Sequence, residues 1–264
     1  MQFSIVTTVL NSDKTIGQCL ASVRSQTVLT EHIVVDGGST DGTLAVVEKE
    51  GGHVAKVISE PDNGIYDGMN KGIRMASGDV VGILNADDVY AAPDILENVA
   101  DAFRDAAVDA CYGDLVYTDS RNLGRVVRYW KSVPYDIKRF YWGWMPPHPT
   151  FFVRRQVYRQ YGLFDLSLGS AADYEIMLRF LLRYRLLAVY LPTVMVRMRS
   201  GGVSNRTLKN RLLANCNDRA AWRVNRLKPY PWTTVLKPLR KIGQFCKKPG
   251  HSGFQFNRDP KIKE

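Results

Sequence analysis

The sequence predicts an α/β protein with a mostly parallel sheet, helices on both faces of that sheet, and a basic helical extension at the C-terminus. Along the first half of the chain, short apolar runs alternate with segments whose apolar residues recur at helical spacing. Repeated strand–helix units of this kind build parallel sheets that helices cover on both sides. With 264 residues, 45% of them hydrophobic, the chain is long enough to bury a substantial core.

The first half begins with a strand at 3–9 and a helix around 16–23. The predicted elements that follow are a strand at 32–36, a glycine-rich turn at 37–42, a helix from 43, a strand at 54–59, a helix at 65–76 and a strand at 80–84. Ligands of such sheets lie outside the carboxyl ends of the strands. We therefore expect a binding site at that edge.

The second half is less regular. Its predicted elements are strands at 109–117, 124–130 and 150–153, an aromatic loop at 140–148, a helix at 172–182, and two short strands at 187–191 and 194–198. From about Asn205 the pattern is helical and basic, with breaks at Pro229, Pro231 and Pro238. We predict two parts, a folded domain at 1–205 and a basic amphipathic extension at 206–264.

The net charge of +10 belongs to the extension. Residues 201–264 hold 15 Lys and Arg against 3 Asp and Glu, so the first 200 residues sum to −2. Tryptophans and leucines are interleaved with these cations, among them Trp222 and Trp232, which is typical of segments that lie on an anionic membrane surface. The alternative is a helix that packs on the domain with solvated charges. Nucleic acid is not an expected partner, because no recognition motif accompanies the charge.

The chain has the features expected of a reduced, cytoplasmic protein. Residues 2–10 are a short apolar run without preceding basic residues, which indicates a first strand and not a signal peptide. No stretch reaches the roughly 18–20 apolar residues of a membrane span. The four cysteines are scattered without a CxxC pair, which favours reduced thiols. They are Cys19, Cys111, Cys216 and Cys246.

Three acidic positions are candidates for chemistry. Asp36 ends a strand before a glycine-rich turn that lets a ligand approach, although it could instead stabilise the turn itself. Asn85, Asp87 and Asp88 form an oxygen-rich loop that suits Mg²⁺ or Mn²⁺ held with substrate phosphates, or else a solvated loop before the next helix. Asp173 opens a helix, either as a cap or as a general base aimed at an acceptor hydroxyl.

Four segments, in this order, carry a resemblance to a known family. They are SIVTTVLNSDKTIGQCLASVRSQT, HIVVDGGSTDGT, SEPDNGIYDGMNKGIRMASGDVVGILNADD and AADYEIMLRF. In these segments the chain resembles family 2 glycosyltransferases of the GT-A (Rossmann-like) fold, of the colanic-acid type found with bacterial surface polysaccharides. The resemblance covers roughly residues 2–205, which would make that part the catalytic domain.

The resemblance implies an inverting transfer of sugar from a nucleoside-diphosphate sugar to a hydroxyl, with Mn²⁺ or Mg²⁺ as cofactor. UDP is the commonest donor nucleotide of the family, with GDP and dTDP as alternatives. A lipid-linked oligosaccharide acceptor would place the enzyme peripherally on the inner face of the cytoplasmic membrane. The implied contacts are Thr8, Asn11, Asp36, Asp62, Asn85 and Asp87 for the nucleotide-sugar, Asp87 and Asp88 for the metal, and Asp173 as the catalytic base.

The chain departs from the family pattern at three places. Gly37 follows Asp36 where a second aspartate is common, and Asn85 stands at the first acid of the metal motif. Ala172 replaces the usual glutamate beside the base. Gly37 removes one polar contact, Asn85 puts more of the metal binding on Asp87, with Asp88 assisting, and Ala172 leaves Asp173 as the only acid at the base position until Glu175.

Other candidates have two interpretations each. Lys71 and Arg74 could reach phosphate or be solvated helix charges, and we count Lys71 among the nucleotide-sugar contacts. His148 could contact acceptor or metal, or be a loop histidine. The rings at 140–145 could stack on an acceptor sugar or fill space beside the sheet. The segment 199–202 lies where many relatives have a metal-binding histidine.

Two further functions stay open at this point. A sugar nucleotidyltransferase would share the scaffold, but its glycine-rich and basic N-terminal loop is replaced here by TTVLNSDKT. A catalytically idle nucleotide-sugar-binding subunit is the other alternative, because Asn85 and Ala172 replace acids of the motifs.

Overall fold

The computed structural model describes residues 1–201, 208–240 and 244. Its centre is a sheet to which this part of the chain contributes nine strands. They are β1 (Phe3–Val9), β2 (Thr30–Asp36), β3 (Val54–Ser59), β4 (Val80–Ile83), β5 (Val89–Tyr90), β6 (Ala110–Thr118), β7 (Val126–Trp130), β8 (Phe152–Arg154) and β9 (Ala188–Arg199). The strand order is β3-β2-β1-β4-β8-β6-β9-β5, with β7 also paired to β6.

The first four strands are parallel neighbours, as predicted. β8 is antiparallel to both β4 and β6, β9 is parallel to β6, and β5 and β7 add antiparallel pairs. The second half of the sheet is therefore mixed. The parallel half brings four carboxyl ends to one edge, and the loops that follow β1, β2, β3 and β4 meet there.

Helices cover both faces of the sheet. They are α1 (Ile16–Arg24), α2 (Thr43–Glu50), α3 (Ile65–Met75), α4 (Ile95–Ala102), α5 (Ile137–Tyr141), α6 (Arg155–Tyr161), α7 (Ala172–Met177), α8 (Leu208–Val224) and α9 (Thr233–Leu239). One apolar core includes Leu20 of α1 and Leu96 of α4. The other includes Met69 of α3 and Ile176 of α7. This two-layer burial explains why the central strands are apolar on both sides.

Three predictions for the second half were wrong in detail. The region 187–198 is the single strand β9, because its pairing with β6 is irregular where Pro192 lies, so the proline is accommodated without ending the strand. The predicted helix at 172–182 is α-helical only to Met177 and continues as a π-helical turn at Leu178–Arg183. Pro238, predicted as a break, lies inside α9.

The described part of the extension packs on the domain. Trp222 of α8 is fully buried and donates its indole N–H to the Tyr174 hydroxyl at 2.9 Å. On α9, Thr233 donates to the Tyr141 carbonyl at 2.6 Å. The expectation that Trp222 faces a membrane was therefore wrong, and packing on the domain, the alternative interpretation, describes this tryptophan. The domain boundary at 205 and the cations at 241 and beyond lie outside the described residues.

Among the described helices, none combines the length and the apolar character that crossing a membrane requires.

A pair of histidines, of which His32 is fully buried and His53 partly exposed, links β2 to the loop before β3. The two ring nitrogens of His32 lie 2.9 Å from the Thr7 hydroxyl and 3.1 Å from Nε2 of His53. Burial, together with the charge of His53, lowers the pKa of His32 to about 3. Burial and the charge of Arg24 also lower the pKa of His53. Both imidazoles are therefore neutral in the folded protein at pH 7.

We expect the free energy of unfolding to fall as the pH drops below 6.5. The unfolded chain binds a proton at His32 near pH 6.5, whereas the folded chain resists it down to about pH 3, so acid favours the unfolded state. For His32 alone the loss between pH 7 and pH 5 is about 2 kcal/mol. Urea unfolding across this range measures it. His32→Gln should flatten the slope, and an unchanged slope in that variant would contradict the assignment.

Candidate active site

The strand ends at the parallel edge are joined by direct contacts. The Thr8 hydroxyl, near the end of β1, donates to Oδ1 of Asn85 after β4 at 3.2 Å. Asp62, after β3, lies against two glycines. A Cβ added at Gly68 would be 2.7 Å from Asp62 Oδ2, and one at Gly37 would be 3.0 Å from the same atom. Four of the loops predicted to bind the donor thus lie side by side.

Asp36 is fully buried, and its carboxylate accepts hydrogen bonds from groups of the protein itself. It accepts hydrogen bonds from the backbone N–H groups of Gly38 and Ser39 and from the Ser59 hydroxyl at 2.6 Å. Burial raises the pKa of Asp36, but these donors outweigh burial and hold the pKa below its ordinary value. This geometry matches the turn-stabilising alternative, and direct contact of Asp36 with the nucleotide stays a prediction.

Asn11 shapes the same turn from the β1 side. It has a positive φ of 48°, and its side-chain oxygen accepts the Thr40 backbone N–H at 2.9 Å. Its own backbone N–H donates to the Ser39 hydroxyl at 2.8 Å. Asn11 is exposed to solvent and orders the glycine-rich turn through these contacts.

Lys71 forms ion pairs with neighbouring acids. Its ammonium lies 2.6 Å from Asp62, 2.9 Å from Glu60 and 3.9 Å from Asp67. Hydrogen bonds to Asp62 and Glu60 raise the pKa of Lys71. The ion pair fixes the position of the Asp62 carboxylate, and a phosphate contact by Lys71 stays a prediction. Arg74 is exposed on α3.

The loop after β4 holds two acids in different surroundings. Asp87 is partly exposed, and burial raises its pKa while the charge of Arg199 opposes that rise. Asp88 is fully buried, and neither of its oxygens has a hydrogen bond of normal geometry within the described residues. Burial and the charge of Asp87 raise the pKa of Asp88 well above its ordinary value, offset only in part by the backbone of Arg199 and by Asn85. Asp87 is therefore partly open to solvent, whereas Asp88 is enclosed by protein.

Arg199, at the end of β9, fixes this loop. One guanidinium nitrogen donates to the Asp87 carbonyl at 3.2 Å, and another donates to Gln18 of α1. Arg199 thus places a cation against the acidic loop.

Asp173 is the second residue of α7 and is partly exposed. The Tyr66 hydroxyl approaches both its backbone N–H and its carboxylate, and burial together with the charge of Asp173 raises the pKa of Tyr66. The pKa of Tyr117, on β6, is raised by burial and by the charges of both Asp88 and Asp173. His148 is also within electrostatic range of Asp173, and burial lowers its pKa. Asp88, after β4, and Asp173, on α7, therefore both lie within electrostatic range of Tyr117.

The other acid of α7 is structural. Glu175 forms a buried ion pair with Arg179 at 2.7 Å and accepts from Asn225 at 3.0 Å. In the aromatic loop, Phe140 and Trp144 are buried core residues, whereas Trp142 is half exposed. Most of that loop therefore fills space beside the sheet.

Sequence reasoning missed Tyr66 and Tyr117. Both are tyrosines in otherwise ordinary helix and strand patterns, where an aromatic residue indicates core. The signal available for Tyr66 was its place in the segment GIYDG, between the candidate residues Asp62 and Lys71.

The loop after β4 has ligand types that suit a divalent cation. Within 1–201, 208–240 and 244, no three acidic, histidine or cysteine side chains form a ready-made metal cluster. Mg²⁺ and Mn²⁺ at phosphate sites, however, need only one or two carboxylates, because the substrate phosphates complete the shell. Asp87 supplies a partly exposed carboxylate. Partial burial raises its pKa, and the charge of Arg199 offsets that rise only in part. Asp88, being fully buried, is less suited to direct ligation.

Comparison with solved structures defines the class of protein. The fold is similar to TarS of S. aureus in complex with UDP-GlcNAc, with a TM-score of 0.63 and 18% identity over 85% of this chain and 70% of that one. It is also similar to the mannosyltransferase PcManGT of Pyrobaculum calidifontis in complex with GDP-Man and Mn²⁺, with a TM-score of 0.62 and 20% identity over 89% and 67% of the two chains. The fold is that of GT-A glycosyltransferases.

Sequence comparison gives the family. Residues 4–162 match Glycosyl transferase family 2. A PGL/p-HBAD biosynthesis glycosyltransferase of Mycobacterium bovis (strain BCG) is 30% identical over 210 residues, which are 77% of this chain and 79% of the relative. The chain belongs to glycosyl transferase family 2, and the protein is a glycosyltransferase. The predicted family, fold and enzyme class are confirmed.

Proposed function

We propose that the protein is an inverting, divalent-metal-dependent glycosyltransferase that acts on a lipid-linked glycan acceptor in the synthesis of surface polysaccharide or glycolipid. The donor is a nucleoside-diphosphate sugar, most often UDP-linked in the family, with GDP and dTDP as the alternatives. One observation carries the proposal: the loops after β1, β3 and β4 meet at one edge of the sheet, where Thr8 donates to Asn85 and Asp62 lies against Gly68. The charges of Asp88 and Asp173 both raise the pKa of Tyr117, which supports a place for the two acids near one residue.

Each residue has a distinct role in the proposed reaction. Asp173 accepts the proton of the acceptor hydroxyl while the hydroxyl oxygen bonds to the anomeric carbon. The bond between that carbon and the diphosphate oxygen breaks, and the nucleoside diphosphate leaves with the electron pair. Tyr66 holds the Asp173 carboxylate in position. Thr8 orients Asn85 next to the donor.

The metal would be held by Asp87 and the donor phosphates, with Asn85 beside them. When bound, the cation neutralises negative charge that grows on the departing diphosphate. PcManGT, whose fold is similar, forms its complex with GDP-Man together with Mn²⁺, which supports the choice of metal.

Inversion follows from the proposed division of roles. A single displacement needs one base on the acceptor side, whereas a retaining reaction needs a nucleophile on the other face, by analogy with hydrolases. Three other described acids already have partners. Asp36 accepts a hydrogen bond from Ser59, Asp62 forms an ion pair with Lys71, and Glu175 forms an ion pair with Arg179. Asp173 is therefore the acid we assign as the base.

The proposed setting is the inner face of the cytoplasmic membrane. The mycobacterial relative is a glycosyltransferase of PGL/p-HBAD biosynthesis, which supports a glycolipid or other lipid-linked acceptor in this case too. The basic extension supports an anionic membrane surface as a partner.

A thermal-shift screen of nucleoside diphosphates, with Mn²⁺ and with chelator, tests this proposal. A ligand that binds only the folded state stabilises it by about 2.7 kcal/mol at hundredfold excess over its Kd. We expect one of UDP, GDP or dTDP to raise the melting temperature, more strongly with Mn²⁺. If a nucleotide stabilises the protein but the matching sugar donor releases no nucleoside diphosphate, the idle binding subunit is favoured. If no nucleotide raises the melting temperature, the proposal is contradicted.

A further inference from the structure

An exposed aromatic face lies on the C-terminal helices and one loop of the catalytic domain. We define the aromatic face as Trp142, Tyr230, Trp232, Val235 and Leu239, each of them between 44% and 52% exposed. The rings of Trp142 and Trp232 are 5.9 Å apart, and those of Tyr230 and Trp232 are 5.1 Å apart. Soluble surfaces rarely leave so many large apolar side chains together, so the face indicates a binding surface.

The aromatic face is a fixed part of the fold and not a loose tail. Gly143 approaches the backbone of α9 so closely that an added Cβ would lie 2.5 Å from the Lys237 nitrogen. Arg240 donates to the Trp142 carbonyl at 3.2 Å, and Lys237 pairs with the buried Asp218 at 2.7 Å. These contacts hold α9 against the loop, so Trp142 and Trp232 stay side by side.

Cations surround this face. A groove of about 600 Å³ beside it is lined by Arg219, Arg223, Lys228 and Tyr230. Arg226 and Arg240 are exposed as well. Among residues 215–240, the acid is Asp218, which is buried and paired with Lys237. The electrostatic complement of such a surface is negative.

We propose that the aromatic face and its cationic groove form one preorganised docking surface for an anionic phospholipid bilayer. Tryptophan and tyrosine rings favour the level of the lipid headgroups, and clustered Lys and Arg attract anionic lipids. Val235 and Leu239 share one side of α9 with Trp232 and enter the acyl boundary together with it.

The docking surface is linked to the catalytic base through α7. Trp222 of α8 bonds to Tyr174, the residue after Asp173, and the Lys237 ammonium lies 3.6 Å from the Tyr174 ring centre. The helices that carry the docking surface therefore contact the residue next to Asp173. This inference rests on the membrane partner of the proposed function and identifies the surface that meets it.

Vesicle flotation of the full chain tests the docking surface. The probes are phosphatidylcholine vesicles with and without phosphatidylglycerol. The aromatic variant is Trp142→Ser/Trp232→Ser, and the charge variant is Arg223→Gln/Lys228→Gln. The matched control is Leu29→Ser/Val57→Ser, which removes two exposed apolar side chains from elsewhere on the surface.

We expect wild-type protein and the control to float with the anionic vesicles and to be released by high salt. The aromatic variant should bind at least about tenfold more weakly, because two interfacial aromatic anchors are lost. The charge variant should bind about 25-fold more weakly, at roughly fivefold for each cation near the surface. A blue shift of tryptophan emission on adding anionic vesicles reports insertion in the wild-type protein and needs no variant.

Three results would overturn the inference. They are failure of the wild-type protein to float with anionic vesicles, equal binding by the aromatic variant, and a dimer that the aromatic variant dissociates while vesicles are not bound, which would make the face a contact between copies. Stabilisation by nucleoside diphosphate is measured on the same samples. If it persists while flotation fails, the docking surface is wrong and the glycosyltransferase proposal stands.

Discussion

Asp173→Asn is expected to lower sugar transfer by about 10²- to 10⁴-fold, the range that a positioned general base contributes. Asparagine keeps the size of the side chain and an oxygen that can accept from Tyr66 and from the Tyr174 backbone N–H, which the native carboxylate accepts at 2.7 Å. It cannot accept the proton of the attacking hydroxyl. The variant should therefore fold and bind nucleotide as the wild-type protein does, while failing in the chemical step.

The measurement is release of nucleoside diphosphate from the sugar donor chosen by the thermal-shift screen, with a membrane lipid extract as the source of acceptor. Asp165→Asn is the matched control, because Asp165 is an acid that caps a turn shortly before α7 through Ser167. Transfer by Asp173→Asn at the wild-type rate would remove Asp173 from the role of base. Loss of nucleotide stabilisation in the same variant would indicate a binding defect instead.

The parallel half of the fold was predictable because its signals are local. Runs such as HIVVD end in a polar residue at the strand end, and the intervening segments show helical spacing, so β2 and β3 are predicted to within two residues. Where the sheet becomes mixed, the outcome depends on pairing between distant segments. The sequence predicted two strands, at 187–191 and 194–198, and only pairing with the partner strand β6 decides that β9 continues through Pro192.

The candidate site was predictable in its acids and not in its connections. Asp87 and Asp173 follow from the order of the motifs. The tyrosines near these acids come from α3 and β6, far apart in sequence: Tyr66 approaches Asp173, and Tyr117 lies within electrostatic range of Asp88 and Asp173. Asp36 shows a related limit. Its hydrogen bonds to the turn and to Ser59 depend on the pairing of β2 with β3, which residue type alone does not reveal.

The extension shows why one pattern had two interpretations. Tryptophan among cations predicts burial of the ring, but the pattern does not say whether protein or lipid covers it. In the structure Trp222 is covered by the domain, whereas Trp232 is 44% exposed beside Trp142. Trp142 lies 90 residues earlier in the chain, so a surface formed from both tryptophans is visible only after folding.

Asp87→Ala is expected to abolish the part of nucleotide stabilisation that depends on Mn²⁺, and to lower transfer by about 10²- to 10³-fold, as removal of one preorganised electrostatic contact does. Asp87 is the partly exposed acid of its loop, and its neighbour Asp88 is buried beneath it. Without Asp87 the cation keeps the donor phosphates as ligands but loses its attachment to the protein. The nucleotide should then stabilise the protein equally with Mn²⁺ and with chelator.

Asp94→Ala is the matched control for this loop, because Asp94 is an exposed acid before α4 whose side chain makes no capping hydrogen bond. It should leave the Mn²⁺ effect unchanged. Asp88→Asn separates the two acids further. Because burial and Asp87 both disfavour the ionised form of Asp88, an uncharged side chain of the same shape should be tolerated there. If Asp88→Asn removes the Mn²⁺ effect while Asp87→Ala retains it, the buried acid is the ligand, and the loop must open for the metal to bind.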